Sequence, residues 1–363
     1  MLKPTYVLPR LPPAGDLETP AVLRELAKAH RHLAELKGRA ASMPNQAILI
    51  DTLALQEAKA SSEIENIVTT QDELFQADMQ FDGLVSPAAK EVAYYRDALK
   101  RGFDALMQNQ GLLTSNAIIE MFRVLKRTDA GFRVTPGTAL KNEATGATVY
   151  VPPQEPAAIV AAMSALERFI NDDGASDLDP LIKMAVIHHQ FESIHPFTDG
   201  NGRIGRIINV LYLTRVGLLE IPVLYLSRYI TMHKAQYYSL LQEVRDQGRW
   251  EPWLLFMLRA VSTTARETLE LVEGLRGLMA DYKQRLRAHP SVRYSQDLLN
   301  NLFRHPYTRI EFLQADLGIT RQTAAKYLEK LAAAGFVEKH QQGRSNYYIN
   351  RPLVALLMRP PGS

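Results

Sequence analysis

The sequence contains no cysteine. That excludes disulfides, a thiolate metal site and a cysteine nucleophile, and it is compatible with the reducing cytoplasm, the compartment we expect. The stretch from Met1 to Gly15 lacks the apolar core of a signal peptide. No apolar run reaches the length of a membrane span, so no membrane partner is expected. Net charge is small as well, +3 over 363 residues, but it is uneven. Arg285 to Arg351 carries eleven Lys and Arg against five Asp and Glu, a net of +6, which leaves the rest of the chain at −3. What is present is ordinary for a globular chain: 46% apolar and 22% charged residues, with length enough for two or three domains.

The densest chemistry lies in Ser193-Ile-His-Pro-Phe-Thr-Asp-Gly-Asn-Gly-Arg-Ile-Gly-Arg206. Apolar helical runs precede it (from Leu181) and follow it (from Ile207), so a polar cluster sits in a turn between two largely buried helices. Gly200, Asn201 and Gly202 leave the backbone free to aim N–H groups at one point. The following helix adds the positive end of its dipole, which makes a phosphate-sized nest. Arg203 and Arg206, three apart, both reach an anion from the first turn. Asp199 is a hard oxygen ligand, and Mg²⁺ is commonly held by one carboxylate plus substrate phosphates. His195 ends the preceding helix, and an imidazole is the usual general base near neutral pH.

Residues His195 to Arg206 resemble the Fic family signature, His-Pro-Phe-x-(Asp/Glu)-Gly-Asn-Gly-Arg-x-x-Arg, at every defined position. The resemblance implies transfer of AMP from ATP to a Tyr, Thr or Ser hydroxyl of a target protein, or of this protein itself. It implies that His195 deprotonates the hydroxyl, Asp199 holds Mg²⁺, and Arg203 and Arg206 hold the β and γ phosphates. Gly200, Asn201, Gly202, Ile204 and Gly205 complete the implied nucleotide-binding stretch. Two alternatives stay open: another phosphate-containing donor or removal of AMP on the same fold, and a DNA-binding regulator whose core senses nucleotide.

Ser61-Ser-Glu-Ile-Glu-Asn66 fits the family's inhibitory pattern, (Ser/Thr)-x-x-x-Glu-(Gly/Asn), at Ser61, Glu65 and Asn66. A helix from Asn45 to about Ile67 sets Ser61 and Glu65 on one face. Glu65 is expected to pair with Arg206 in a bidentate contact and keep it from the γ-phosphate. The alternative is a solvated helix face.

Between residues 128 and 156, glycines and prolines break the helical pattern around Thr148-Val-Tyr-Val151. A β-hairpin is expected here, ending at Pro153. In Fic proteins such a flap registers the target chain by added-strand pairing. The resemblance would thus give Ala147, Thr148, Val149 and Tyr150 an exposed edge facing nucleotide and target. Asp179 is the expected N-cap of the helix that leads into the signature, with Pro180 at its first position. His188 and His189 on that helix read as core residues. Tyr237 matches a family Tyr whose ring lies against the nucleotide; a core tyrosine is the alternative reading. Some relatives place an Asn eight residues later to touch the base, and this chain has Arg245 there.

The tail reads as helix, turn, helix and two strands, a winged helix-turn-helix similar to the C-terminal domains of many bacterial Fic proteins. Arg321, Gln322 and Lys326 lie on its recognition helix and Arg344 at the wing tip, placed for DNA phosphates; contact with protein is the alternative. The fold class expected is therefore mainly α, a Fic-fold helical core with a β-hairpin flap and a C-terminal winged helix-turn-helix. Residues 1–110 form the N-terminal region with the inhibitory helix (about 45–67). Residues 111–289 form the catalytic domain with its flap (about 144–153), and residues 290–363 the winged-helix domain. Composition does not decide whether the chain is a homodimer.

Overall fold

The computed structural model describes residue 4 and residues 6–70, 73–74, 86–141, 145–342 and 345–359. Before the first helix the proline-rich arm runs without regular structure. It lies over the body of the protein, where Gln190 donates to the Pro9 carbonyl at 3.3 Å and the Tyr6 ring meets Tyr150 and His189 edge-on. Helix α1 (Pro20–Ala41) starts on a Thr19 cap and buries Val22, Leu26, Leu33 and Leu36 along one stripe. That period of three and four residues is what lets it lie along a long helix near the end of the chain.

Helix α2 (Gln46–Ile64) ends within the Ser61–Asn66 motif. It stops earlier than the expected Ile67, because Asn66 takes a left-handed φ of 60° and the Ile67 N–H folds back on the Ser62 carbonyl. Glu65 is thus the C-cap rather than an interior position. Helices α3 (Pro87–Gln108) and α4 (Ser115–Lys126) pack on each other, and α3 also packs on α2. The hairpin follows, with β1 (Leu140–Lys141) antiparallel to β2 (Thr148–Tyr150) and Leu140 opposite Tyr150.

Helix α5 (Pro156–Asn171) leads to the central pair, α6 (Pro180–Ile194) and α7 (Asn201–Arg215). The Asp179 carboxylate caps α6 by accepting from the Leu181 N–H at 2.8 Å, with Pro180 at the first position. Almost every residue of α6 and α7 is buried, the mark of helices packed on all sides. Helix α8 (Leu226–Met232) packs on α2, and α9 (Lys234–Gln247) meets α6 through Tyr237 and Leu241. Helix α10 (Trp250–Ala288) then runs 39 residues, about 60 Å at 1.5 Å per residue. Its first half buries Trp253 and Phe256 in the core, and its second half reaches the C-terminal region, where the Tyr282 hydroxyl donates to the Phe336 carbonyl and Asn350 Oδ1.

The C-terminal region holds α11 (Gln296–Arg304), β3 (Tyr307–Thr308), α12 (Ile310–Leu317) and α13 (Arg321–Ala333). It ends with β4 (Glu338–Gln342), β5 (Ser345–Ile349) and α14 (Arg351–Met358). Gly318 at φ 64° stops α12, and Thr320 caps α13. The strands form an antiparallel sheet in the order β3-β5-β4. The molecule is mainly α, with a hairpin on the helical core and a small sheet near its end.

Candidate active site

The turn between α6 and α7 is held by side chains within it. His195 takes a left-handed φ of 50° as the C-cap of α6, and Gly200 takes φ 75° as the N-cap of α7. The Asn201 amide closes the turn, accepting from the Phe197 N–H at 2.8 Å and donating to its carbonyl at 2.9 Å. Its side chain is therefore spent on the loop. Phe197 beneath is fully buried and stacks on Phe122 with centroids 4.0 Å apart. A left-handed conformation is costly for a residue with a Cβ, and here the His195 carbonyl is held by Arg133 Nε at 2.8 Å. Arg133 also donates its backbone N–H to the Pro196 carbonyl and a second guanidinium nitrogen to the Pro153 carbonyl. One buried arginine thus ties the signature turn to the base of the hairpin.

His195 Nδ1 is buried, and the Glu192 backbone carbonyl faces the ring as an acceptor. Burial and the charges of Arg133 and Arg245 push the imidazole pKa down to about 3. The ring is neutral at physiological pH, as a general base must be before it takes a proton. Asp199 stands at the mouth, accepting from the Gly200 N–H at 2.7 Å and pairing with Lys126 at 2.6 Å. Burial works against its charge, but Lys126 and that N–H hold the carboxyl below its ordinary range.

Arg203 and Arg206 are each 1% exposed, and the Glu65 carboxylate bridges them. Glu65 Oε2 accepts from Arg203 Nε at 3.0 Å and Oε1 from Arg206 Nη2 at 2.8 Å. The expected bidentate pair with Arg206 is thus replaced by one oxygen to each arginine. The early end of α2 explains it, since Glu65 at the cap faces the gap between the two guanidinium groups. Ser61 completes the grip on Arg206, its hydroxyl accepting from Nε at 2.7 Å and its carbonyl from Nη2 at 2.9 Å. The Asn66 side-chain oxygen accepts from Lys234 at 2.9 Å. A Cβ on Gly202 would stand 2.7 Å from Glu65 Oε1. The glycine therefore admits a carboxylate to the first turn of α7, where the dipole and free N–H groups favour an anion.

Not every expected site residue faces this point. Ile204 is fully buried, and a Cβ on Gly205 would meet Glu192, Phe191 and His188, so Gly205 faces α6. Tyr237 is 1% exposed, its hydroxyl 2.8 Å from His188 Nε2 and its ring against Trp253 and Phe256, which is the core arrangement. Ala147, Thr148 and Val149 are exposed. Tyr150 is not, contrary to expectation; it is fully buried and donates its hydroxyl to the Ser193 carbonyl at 2.6 Å. It anchors the hairpin as the last residue of β2, where the chain turns in toward the end of α6. Arg245 lies over the Tyr150 ring at 4.0 Å and donates to Ser193 Oγ at 3.1 Å, joining α9 to the same spot. Glu192, 8% exposed with Oε1 unpartnered, is pushed up to about 7 by burial. Arg321, Gln322 and Lys326 are exposed on α13, with Arg321 paired to Glu311 at 2.8 Å. Arg344 lies outside the described residues.

Sequence reading missed Arg133, Lys126 and Glu91. Each is a single charged residue far along the chain from the signature, with no spacing to mark it.

The turn and its two arginines define a class, and comparison with known proteins gives the same one. Residues 23–104 match the model for the Fic/DOC family N-terminal region, 112–213 that for the Fic/DOC family, and 278–353 that for the protein adenylyltransferase SoFic-like C-terminal domain. The chain belongs to the Fic family. It is similar to protein adenylyltransferase Fic of Drosophila melanogaster, with 29% identity over 122 residues, 34% of this chain and 22% of the relative. It is also similar to protein adenylyltransferase fic-1 of Caenorhabditis elegans, with 27% identity over 107 residues, 30% of this chain and 20% of the relative. The match thus spans about a fifth of the length of these curated relatives. Among solved structures, a Fic family protein from Desulfovibrio desulfuricans shares the fold with a TM-score of 0.56 at 20% identity, over 96% of this chain and 98% of that one. A Fic-1 fragment from C. elegans aligns with a TM-score of 0.53 at 21% identity, over 70% of this chain and 73% of that one. Among the described residues, no helix is long and apolar enough to cross a membrane.

Proposed function

We propose that this protein transfers AMP from ATP to a Tyr, Thr or Ser hydroxyl of a protein, and that Glu65 restrains it. One observation carries the reading: a carboxylate bridges two buried arginines at the N-terminal turn of α7, the helix that follows the turn holding a neutral histidine. An anion is already bound where a phosphate would bind. ATP in that place would have Arg203 and Arg206 on its β and γ phosphates and the backbone of Gly200 to Gly202 around them. His195 would take the proton of the incoming hydroxyl. The hydroxyl oxygen then bonds to the α-phosphorus, the bond from that phosphorus to the bridging oxygen breaks, and pyrophosphate leaves. The donor set fits Mg²⁺, because Asp199 offers one hard, 60% exposed carboxylate at the mouth and the remaining ligands would be phosphate oxygens and water. Bound there, Mg²⁺ would neutralise charge on the phosphates.

The test is label transfer from ATP labelled at the α or the γ phosphorus, with a panel of candidate protein targets and the protein alone. Covalent label from the α position only, lost in His195→Ala, supports AMP transfer. Label from the γ position would replace it with phosphoryl transfer.

A second reading concerns the tail. Arg321, Gln322 and Lys326 stand exposed on one helix of a basic segment, an arrangement suited to DNA phosphates. Binding to duplex DNA that weakens with salt supports it, and no binding at low salt removes it.

A further inference from the structure

The Arg203 guanidinium meets three carboxylates. Nε donates to Glu65 at 3.0 Å, Nη2 faces Asp199 at 3.8 Å, and Nη1 donates to Glu91 at 2.7 Å. Glu91 stands early in α3 and belongs to neither the signature nor the inhibitory motif. These partners are not equivalent. The Nε–Nη2 edge is one of those on which a guanidinium takes an oxyanion through two parallel bonds, and Glu65 and Asp199 lie along it. That edge also faces the nest, since Nη2 is 3.7 Å from where a Cβ on Gly200 would stand. Glu91 holds the remaining nitrogen. One turn further on, Tyr95 is fully buried and donates its hydroxyl to Glu57 at 3.1 Å, so α3 is fixed at this point. When Glu65 leaves, Nε loses its partner and Nη2 keeps only the long 3.8 Å approach of Asp199, while Glu91 stays on Nη1.

The geometry points to Glu91 as a positioning residue that anchors Arg203 through Nη1 and so presents its other edge to a nucleotide phosphate. This rests on the reading of Arg203 as a phosphate ligand. Arginine has many rotamers, and one already held in place loses less freedom when the phosphate arrives. A second blocker of the Glu65 kind would act with the opposite sign. Removing a blocker tightens nucleotide binding; removing an anchor weakens it.

The experiment uses the full chain carrying Glu65→Gly and titrates α,β-methylene-ATP, so that no chemistry is needed, with AMP as the comparison. Adding Glu91→Ala should weaken the triphosphate about five- to tenfold, the effect of losing roughly one charge-assisted hydrogen bond. AMP, which lacks the β and γ phosphates, should bind all variants alike. In label transfer the same change should raise KM for ATP and leave kcat within about twofold, a loss of uniform binding. Glu91→Gln keeps an acceptor oxygen for Nη1 and should recover most of the affinity. Unchanged or tighter triphosphate binding in Glu91→Ala, or an equal loss for AMP, overturns the assignment. If Glu65→Gly with Glu91 intact binds no triphosphate, AMP transfer itself fails, and that result is visible before any Glu91 variant is compared.

Discussion

Arg133 shows how much a single residue outside the signature contributes. Its guanidinium holds the His195 carbonyl and the Pro153 carbonyl together while it is only 3% exposed. Arg133→Ala should cost about 3 kcal/mol of stability through two lost charge-assisted bonds. It should also cut transfer about 100-fold by letting the imidazole drift, with triphosphate affinity unchanged. Thermal melts, rates and nucleotide titration read these separately. Glu192 tests the electrostatics. Burial raises its folded pKa to about 7 from an ordinary 4.5. Between those values the folded protein keeps a proton that the unfolded chain has lost, so stability falls as pH rises through this window and the penalty is complete above it. Glu192→Gln should therefore stabilise the protein by up to ~3 kcal/mol at pH 8, with the gain vanishing near pH 4. Denaturant melts across pH measure it, and a gain independent of pH would refute the assigned charge state.

At the scale of elements, two short segments hold the site, the end of α2 on Arg203 and Arg206 and the hairpin on the Ser193 carbonyl. The hairpin is fixed by one ring, Tyr150, whose hydroxyl donates to the Ser193 carbonyl just before His195. Tyr150→Phe leaves that carbonyl unpaired and should cost about 1–2 kcal/mol. Amide exchange should quicken at Ala147 to Tyr150 first, and uniform quickening across the protein would argue against a local anchor. The legibility of these elements in the sequence follows from their physics. The signature could be read because a polar cluster between two apolar helical runs has few structural reasons to exist. Caps such as Asp179 with Pro180 were equally plain. Tyr150 was misplaced because β2 is only three residues long, too short for alternation to reveal which face is buried. Glu91 and Lys126 were invisible because a lone charge on an amphipathic helix looks like a solvated one. The split of Glu65 between two arginines depends on where α2 stops, and helix ends are set by a few backbone angles that residue pattern specifies weakly.

At the scale of the whole molecule, the C-terminal region grips the same helix that carries Glu65. Asp51 of α2 pairs with Arg304 of α11 at 2.5 Å and with Lys100 of α3, and Gln56 of α2 donates to the Leu357 carbonyl at 3.0 Å. Lys100 and Arg304 hold the Asp51 carboxyl below its ordinary range despite burial. Loosening the far end of α2 should reach its near end, since the two are parts of one rigid element. Asp51→Asn should lower the melting temperature by a few degrees and raise basal label transfer, though less than removal of Glu65 does. Unchanged basal transfer would mean that the tail holds α2 without influencing Glu65.

In the proposed function, the Glu65 carboxylate occupies the anion site of an adenylyl transferase. The most direct measurement compares initial rates of label transfer from α-labelled ATP with Mg²⁺ for wild type, Glu65→Gly and Glu65→Gly/His195→Ala. Freeing two buried arginines should raise the rate tenfold or more, because each charge-assisted contact is worth about 1.5–3 kcal/mol. Label is expected in Glu65→Gly, with little in wild type and none in the double variant. Equal labelling in wild type and Glu65→Gly, or labelling that survives His195→Ala, would contradict it.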